Sequence, residues 1–473
     1  MKIIRKPSIL LAAVPLVILI IAAIGAIFFW DVAMFIPLII GIFTTGLVAK
    51  YLGYEWREIE EAMTEGISRA LPAVYILIIT GTIIGSWIAS GIIPTIIYYG
   101  FSIIDPAYFV PMVAFFTALL AMVIGSITSL GTIGLAFMAI GQGMGFPLPL
   151  VAGAVISGAF FGDKLSPLSD TTNVASAIVN VPLYTHVKHM LWDTLPAFII
   201  ALILYWFVGN QYVGNVATPE EVNIILGGLE ENFTIHSGLL TVPLITIVMM
   251  IKRVPAVPAL VITSILASVC AVIFQGSTVS AILNAMTGGF VIDSGIQSID
   301  ALLNTGGILS MLRPIGMLMI ATALGGLLER TYIFQVFVDY VIDLSKTTGS
   351  LISSTLLLTF VVGLSSGAQY LALILPARSF LKTFKQRNLH PKNLSRCVEA
   401  TGTVGINLVP WSVPVILSSV ILGVSPYQFI PFVFFAILVP VINVIYGFTG
   451  FTIAKLESSS GDDEVRSSRS VSS

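Results

Sequence analysis

Apolar runs, many of them about as long as a bilayer is thick, dominate the chain. They cover approximately 8–29, 32–51, 70–89, 107–125, 131–143, 148–162, 188–208, 237–251, 256–274, 313–328, 348–364, 368–380, 401–423 and 427–454. About 20 consecutive apolar residues cross the hydrocarbon core as a helix. Several runs are shorter than that or interrupted, so roughly 11–13 spans are expected, some discontinuous. Segments 56–69 and 278–303 read as amphipathic or re-entrant. The fold class this pattern predicts is all-α: a polytopic membrane protein.

Composition sharpens that picture. Hydrophobic residues make up 56% and charged residues 10%, where a soluble domain carries roughly 25% charged residues. So few charges cannot solvate the surface, and lipid is the missing solvent. The 41 glycines and 24 prolines let membrane helices approach closely, kink and break. Broken helices are what a transporter needs and a simple anchor does not. A net charge of −2 gives no reason to expect a nucleic-acid partner. Cys270 and Cys397 lie in or beside apolar stretches and read as small hydrophobes.

Lysines and arginines in short loops set the orientation. Lys2, Arg5 and Lys6 precede the run 8–29, which is longer than the ~7–15 residue core of a secretory signal. It reads as the first arm of an uncleaved hairpin, with Asp31 at the outer turn and the N-terminus cytoplasmic. Lys50 and Arg57, Lys252 and Arg253, and the loop carrying Lys382, Lys385, Arg387, Lys392 and Arg396 also favour the inside. The loop 210–236 holds Glu220, Glu221, Glu230 and Glu231 without Lys or Arg and reads as external. Trp30, Trp192 and Trp206 fit an interfacial belt, and His186 and His189 read as interfacial histidines or, in the competing reading, as a pair that responds to pH. Arg378 and Lys382 read as inside-facing anchors or as groups that neutralise an organic anion; Arg313, Glu329 and Arg330 read as snorkelling groups at helix ends.

The chain also echoes itself. Leu165-Ser166-Pro167-Leu168-Ser169 resembles Leu408-Val409-Pro410-Trp411-Ser412, and each follows a glycine-containing apolar run. Each is preceded by a small-polar break, Ser126 to Thr132 in one case and Ser365 to Gln369 in the other. Interrupted helices in matching positions of two halves are the best sequence pointer to a transport site. A break inside the membrane frees backbone carbonyls, which suit a hard cation such as Na+.

The densest polar cluster in apolar surroundings runs from Gly162 to Asn173. A charge at bilayer depth costs about 2.5–3.5 kcal/mol or more, so its two aspartates and its lysine must pair or bind something. Asp163, Ser166, Ser169, Asp170, Thr171, Thr172 and Asn173 offer oxygen ligands, and Asp163 and Asp170 are the candidate Na+ carboxylates. The competing reading is a surface loop with Asp170 as a helix N-cap. Thr128, Ser129, Gln369, Glu399, Thr403 and Asn407 join the candidate set from the other breaks.

Ser157 to Asn173 closely resembles the signature segment of the NhaC family of Na+/H+ antiporters. The resemblance continues through Thr185-His186-Val187-Lys188-His189-Met190 and Thr128-Ser129-Leu130-Gly131-Thr132. It returns at Gly325-Gly326-Leu327-Leu328-Glu329, Gln369-Tyr370-Leu371, Pro376-Ala377-Arg378 and His390 to Arg396. It implies a secondary transporter with inverted repeats that exchanges Na+ for H+. Ala368, Ala400 and Ser412 depart from the family pattern, which the resemblance expects to be acidic at the first two and Asn at the third. Those departures bear on the coupling-ion count and the substrate.

The expected organisation is a hairpin and amphipathic linker at 1–69, a first transport repeat at 70–209, and an external loop with scaffold helices at 210–312. A second repeat at 313–454 and a disordered cytoplasmic tail at 455–473 complete it. Helices 8–51 and the segment 237–303 are left to scaffold or homodimer contacts. Na+ and H+ are the expected transported ions, with no cofactor. Antiport follows if one carboxylate site takes Na+ or H+ in turn while it alternates between membrane faces. The alternative is a Na+- or H+-coupled carrier of a small organic acid or amino acid. An enzyme is disfavoured because no nucleophile–base pair or phosphate-binding glycine loop is evident. A channel is disfavoured because two unlike halves supply no ring of like groups.

Overall fold

The computed structural model describes residues 6–456, apart from 31, 33, 104, 168, 214–218, 253, 297–298 and 301–302. The expectations placed on Lys2, Arg5, Asp31, Leu168, Arg253 and the tail beyond Leu456 lie outside the described residues.

The first part of the chain forms α1 (Ile9–Ile24), α2 (Phe35–Leu52), α3 (Trp56–Ala89), α4 (Ile92–Ile103), α5 (Phe109–Ile124), α6 (Ser126–Ser129), α7 (Leu135–Gly143), α8 (Leu148–Leu165), α9 (Asp170–Ile178) and α10 (Leu183–Asn210). Helices α11 (Pro219–Asn232), α12 (Thr241–Ile251), α13 (Ala256–Gln275) and α14 (Val279–Gly288) follow. The last part holds α15 (Leu312–Arg330), α16 (Ile333–Leu344), α17 (Thr348–Ser366), α18 (Gln369–Gln386), α19 (Pro391–Glu399), α20 (Val413–Leu422), α21 (Pro426–Phe429) and α22 (Phe434–Thr449). Among the described residues seven helices are long and apolar enough to cross a bilayer, and up to nine if each of two bent pairs is one span. Four further apolar helices are shorter. The chain is an all-α, polytopic membrane protein.

Helix α10 shows how such a helix is sorted. Ile199, Ile203 and Phe207 are exposed, while Ala197, Ala201 and Tyr205 are buried. The outward face is the larger and more apolar one, which is the reverse of a soluble protein. Lipid solvates the bulky side chains, and small residues let neighbouring helices approach. The same logic places Gly66 of α3 against Gly326 of α15. A side chain on Gly66 would collide with the Thr322 carbonyl, and one on Gly326 with the Ala62 carbonyl.

Two expectations about the elements are corrected. Segment 56–69 is not a separate amphipathic linker; it is the first part of the continuous helix Trp56–Ala89. A capping box closes that helix at Glu55 and Glu58. Its charges interrupt the hydropathy pattern but not the helix, because Glu, Arg, Ala and Met are good helix formers. The stretch read as a loop over 210–236 likewise contains the helix Pro219–Asn232.

Two stretches of the chain each carry a helix that ends at a glycine, a π-turn and a Pro-containing break, with the π-turn placed early in the first stretch and next to the break in the second. In the first, α5 ends at Gly125, a π-turn spans Leu130–Gly134, and α8 breaks at Ser166–Ser169 before α9. In the second, α17 ends at Gly367, α18 follows, and α19 continues through a π-turn at Ala400–Val404 to a break at Val409–Ser412 before α20. The two echoed Pro motifs occupy the two breaks. The segments on either side of the second break are bent by 46°.

Candidate functional site

Gly125 has φ 85° and ψ 163°, a conformation open essentially to glycine alone. It ends α5 and turns the chain into the short helix Ser126–Ser129. Beside it, α8 is buried from Leu150 to Leu165. Side chains at Gly158 and Gly162 would strike the carbonyls of Ala114 and Ala118, so α8 and α5 lie almost backbone to backbone. Asp163 then stands in the last turn of α8, next to the terminal carbonyls that carry the negative end of a helix dipole. Carboxylate and helix end together attract a cation.

Asp163 faces Ser126 and Ser169. These residues open on a cavity of about 270 Å³ whose wall includes Thr80, Gly125, Ser126, Thr128, Gly131, Asp163, Ser169, Asp170, Thr171, Gln369 and Tyr370. Ile76 and Ile83 of α3 and Leu260 of α13 close its apolar side. The cavity therefore joins both breaks of the first half to the start of α18 in the second. Among the described residues its wall carries two aspartates, several hydroxyls and neither Lys nor Arg.

Of the candidate residues, Asp163, Asp170, Ser169, Thr171, Thr128 and Gln369 line this cavity. The others brace it or lie behind it. Ser166 donates to the Met122 carbonyl at 2.8 Å, and Ser129 to that of Ser126 at 2.7 Å. Asn173 closes the first break by donating to the carbonyls of Pro167 at 3.0 Å and Ser169 at 2.8 Å. Thr172 reaches the Lys164 carbonyl at 3.3 Å. Gln369 Nε2 reaches the Thr403 carbonyl at 3.4 Å and so connects the cavity to the second broken helix. There, Asn407 donates to the carbonyls of Thr403 and Val404 at 3.1 and 3.0 Å. Glu399 is fully buried and faces Thr403 and Thr172.

Asp170 is not the N-cap. Ser169 takes that position, and Asp170 is the first residue of α9. Its carboxylate lies at the positive end of the helix dipole and stays exposed to the cavity.

Sequence reasoning missed the group that holds Lys164. Its ammonium lies 2.7 Å from Asp193 Oδ2, with both side chains wholly buried. Asn443 Nδ2 donates to the same oxygen at 2.6 Å, and Thr194 donates to Oδ1 at 3.0 Å. Asp193 is a single acid in a long apolar helix, and that is itself the signal that could have found it. The histidines are corrected as well. His186 and His189 are not interfacial but buried, bonded to Ser395 at 2.8 Å and Asn393 at 3.2 Å. Arg396 does not belong to a surface loop. It is fully buried in α19, donates to Thr452 at 2.9 Å and packs over the Tyr446 ring. Arg378 is exposed and outside the cavity wall.

A model of the Na+/H+ antiporter family matches residues 158–451. The Na+/H+ antiporter NhaC of Alkalihalophilus pseudofirmus is 34% identical, covering 89% of this chain and 92% of that protein. A malate-2H+/Na+-lactate antiporter of Bacillus subtilis is 35% identical over 95% of this chain and 96% of its own length. An arginine/ornithine antiporter, ArcD, of Halobacterium salinarum is 34% identical, covering 88% and 86%. The matched region begins within α8, takes in the break after Asp163 and the start of α18, both of which line the cavity, and runs to the end of the last helix; the chain belongs to the Na+/H+ antiporter family.

Proposed function

We propose that this chain is a secondary transporter that exchanges Na+ for H+ across the cytoplasmic membrane, its N-terminus on the cytoplasmic side. The observation that carries the proposal is the cavity wall: two aspartates and hydroxyl oxygens, with no Lys or Arg, at a helix C-terminal end. That wall favours a small hard cation and disfavours an anion. A carboxylate at such depth is tolerated when it holds either a proton or a cation. Competition of the two for Asp163, while the cavity opens to one face and then the other, gives antiport without further machinery. Asp170 and the hydroxyls of Ser169, Thr171 and Thr128 complete the oxygen set. The two matched broken segments act as inverted repeats and supply the alternation. The ion gradient supplies the energy, and no cofactor takes part.

A second reading, carriage of a small organic acid or amino acid with the ion, is supported by a cavity of about 270 Å³, roomier than a bare ion requires. The names of two relatives lie in the same direction. Proteoliposomes with an imposed Na+ gradient test both readings. Opposite proton movement with no added organic solute is the expected result. Proton movement that requires malate, lactate, arginine or ornithine would replace ion exchange with the second reading.

A further inference from the structure

Behind the Asp163 cavity, on the second broken helix, lies a set of oxygens whose bonding needs are unmet. Glu399 ends the α-helical part of α19, Thr403 lies in the π-turn and Asn407 in the 3-10 turn that follows; Glu399 faces the Thr403 side chain and the Asn407 amide reaches the Thr403 carbonyl. All three are completely buried. Both carboxylate oxygens of Glu399, the Thr403 hydroxyl and the Asn407 side-chain oxygen lack a hydrogen-bond partner. The Thr403 and Thr172 hydroxyls face the Glu399 carboxyl without closing to hydrogen-bond geometry. Asn407 spends its amide protons on the carbonyls of Thr403 and Val404. Those bonds fix which way the amide points and leave its oxygen purely an acceptor.

The nearby charges do not satisfy this set. Asp163 and Lys164 are the charged groups that face Glu399. Lys164 is already matched by Asp193 at 2.7 Å, and Asn443 shares that oxygen. Arg396 turns to Thr452 and the Tyr446 ring instead. Asp163, Asp193 and Glu399 are thus three carboxylates against the Lys164 ammonium and the buried Arg396 guanidinium, which leaves one carboxylate in excess. A proton on Glu399 would answer one carboxyl and leave the Asn407 oxygen orphaned. A cation answers carboxylate, hydroxyl and amide oxygens together, and these are hard ligands suited to Na+.

We propose that Glu399, Thr403 and Asn407 form a second monovalent-cation site, separate from the Asp163 cavity, which takes Na+ when Glu399 is ionised. Gln369 joins the two: it lines the cavity and its amide reaches the Thr403 carbonyl. The inference rests on the ion-exchange reading of the cavity and deepens it, because two cation sites set a higher ion count per turnover than one.

Equilibrium binding of radiolabelled Na+ to the purified full-length chain at alkaline pH tests this. The wild type is expected to bind two Na+ per chain, Glu399→Gln one, and Asp163→Asn one. Thr403→Val removes a ligand without touching a charge. It should retain both sites, with one weakened by about tenfold or more. Gel filtration establishes that each variant is folded before binding is counted. A wild type that saturates at one Na+, or a folded Glu399→Gln protein with an unchanged count, overturns the second site. Na+-driven proton flux in proteoliposomes separates this outcome from failure of the exchange reading. Flux with one Na+ bound removes only the second site; two Na+ bound without flux removes only the exchange.

Discussion

Lys164 and Asp193 form an ion pair at 2.7 Å with neither side chain exposed to any solvent. They sit 29 residues apart in sequence, and the pair joins the last turn of α8 to the middle of α10. The carboxyl also receives Asn443 from α22, so three helices meet at one charge. Removing one partner of a buried pair leaves the other charge stranded, which costs about 3–5 kcal/mol. Asp193→Ala should therefore lower the melting temperature of the detergent-purified protein sharply. The double substitution Lys164→Met with Asp193→Leu should recover much of the loss. Equal melting of Asp193→Ala and wild type would show that the pair does not hold the helices.

Asp163 and Asp170 share a cavity but not a role. Asp163 sits at the negative end of a helix and Asp170 at the positive end of the next. Asp163→Asn should abolish Na+-driven proton flux while leaving the protein folded. Asp170→Asn gives up a favourable dipole interaction of about 0.3–1 kcal/mol and should weaken Na+ affinity with exchange retained. Normal flux from the Asp163→Asn protein would remove Asp163 as the exchange carboxylate.

The Gly66–Gly326 crossing leaves no room for a side chain on either helix. Gly66→Val should force α3 and α15 apart and destabilise the protein by about 1–3 kcal/mol. Gly46, with open space around its would-be Cβ, is the control: Gly46→Ala should melt like wild type. Thermal unfolding of the two variants side by side is the measurement, and equal losses would refute the packing argument.

The loop charges predict the end of α18 inside and α11 outside. In a protein carrying Cys270→Ser, a membrane-impermeant thiol reagent applied to intact cells should label Glu231→Cys and spare Lys385→Cys. Both positions are exposed, so labelling reports sidedness rather than burial. The reverse pattern would invert the orientation.

Most of the helices were legible because apolar runs and glycine or proline breaks are local signals. The Ser-Pro break after Asp163 and the Thr128 break are legible in the same way, and the fold brings both to one cavity. What stayed hidden depends on contacts between distant segments. Asp193 gains its meaning from Lys164 and Asn443, and no spacing rule connects them. His186, His189 and Arg396 carry the composition of an interface, yet α19 tucks against α10 and buries all three. The 56–69 segment misled for a different reason. Hydropathy reports the solvent along a helix, and a helix that leaves the bilayer changes solvent without ending.

That continuity has a mechanical meaning. Helix α3 is a rod of 34 residues, roughly 51 Å long. One stretch forms a wall of the ion cavity through Ile76, Thr80 and Ile83, while its opposite end carries Glu58, Glu60, Glu61 and Glu65. Close glycine contacts hold it at Gly66 and again at Gly81 and Gly85, where side chains would strike the carbonyls of Thr322, Gly307 and Ala285, and Pro72 omits a rung of the ladder between them. The cavity wall and a row of carboxylates are thus parts of one continuous helix, and a shift of that helix at either end is felt at the other.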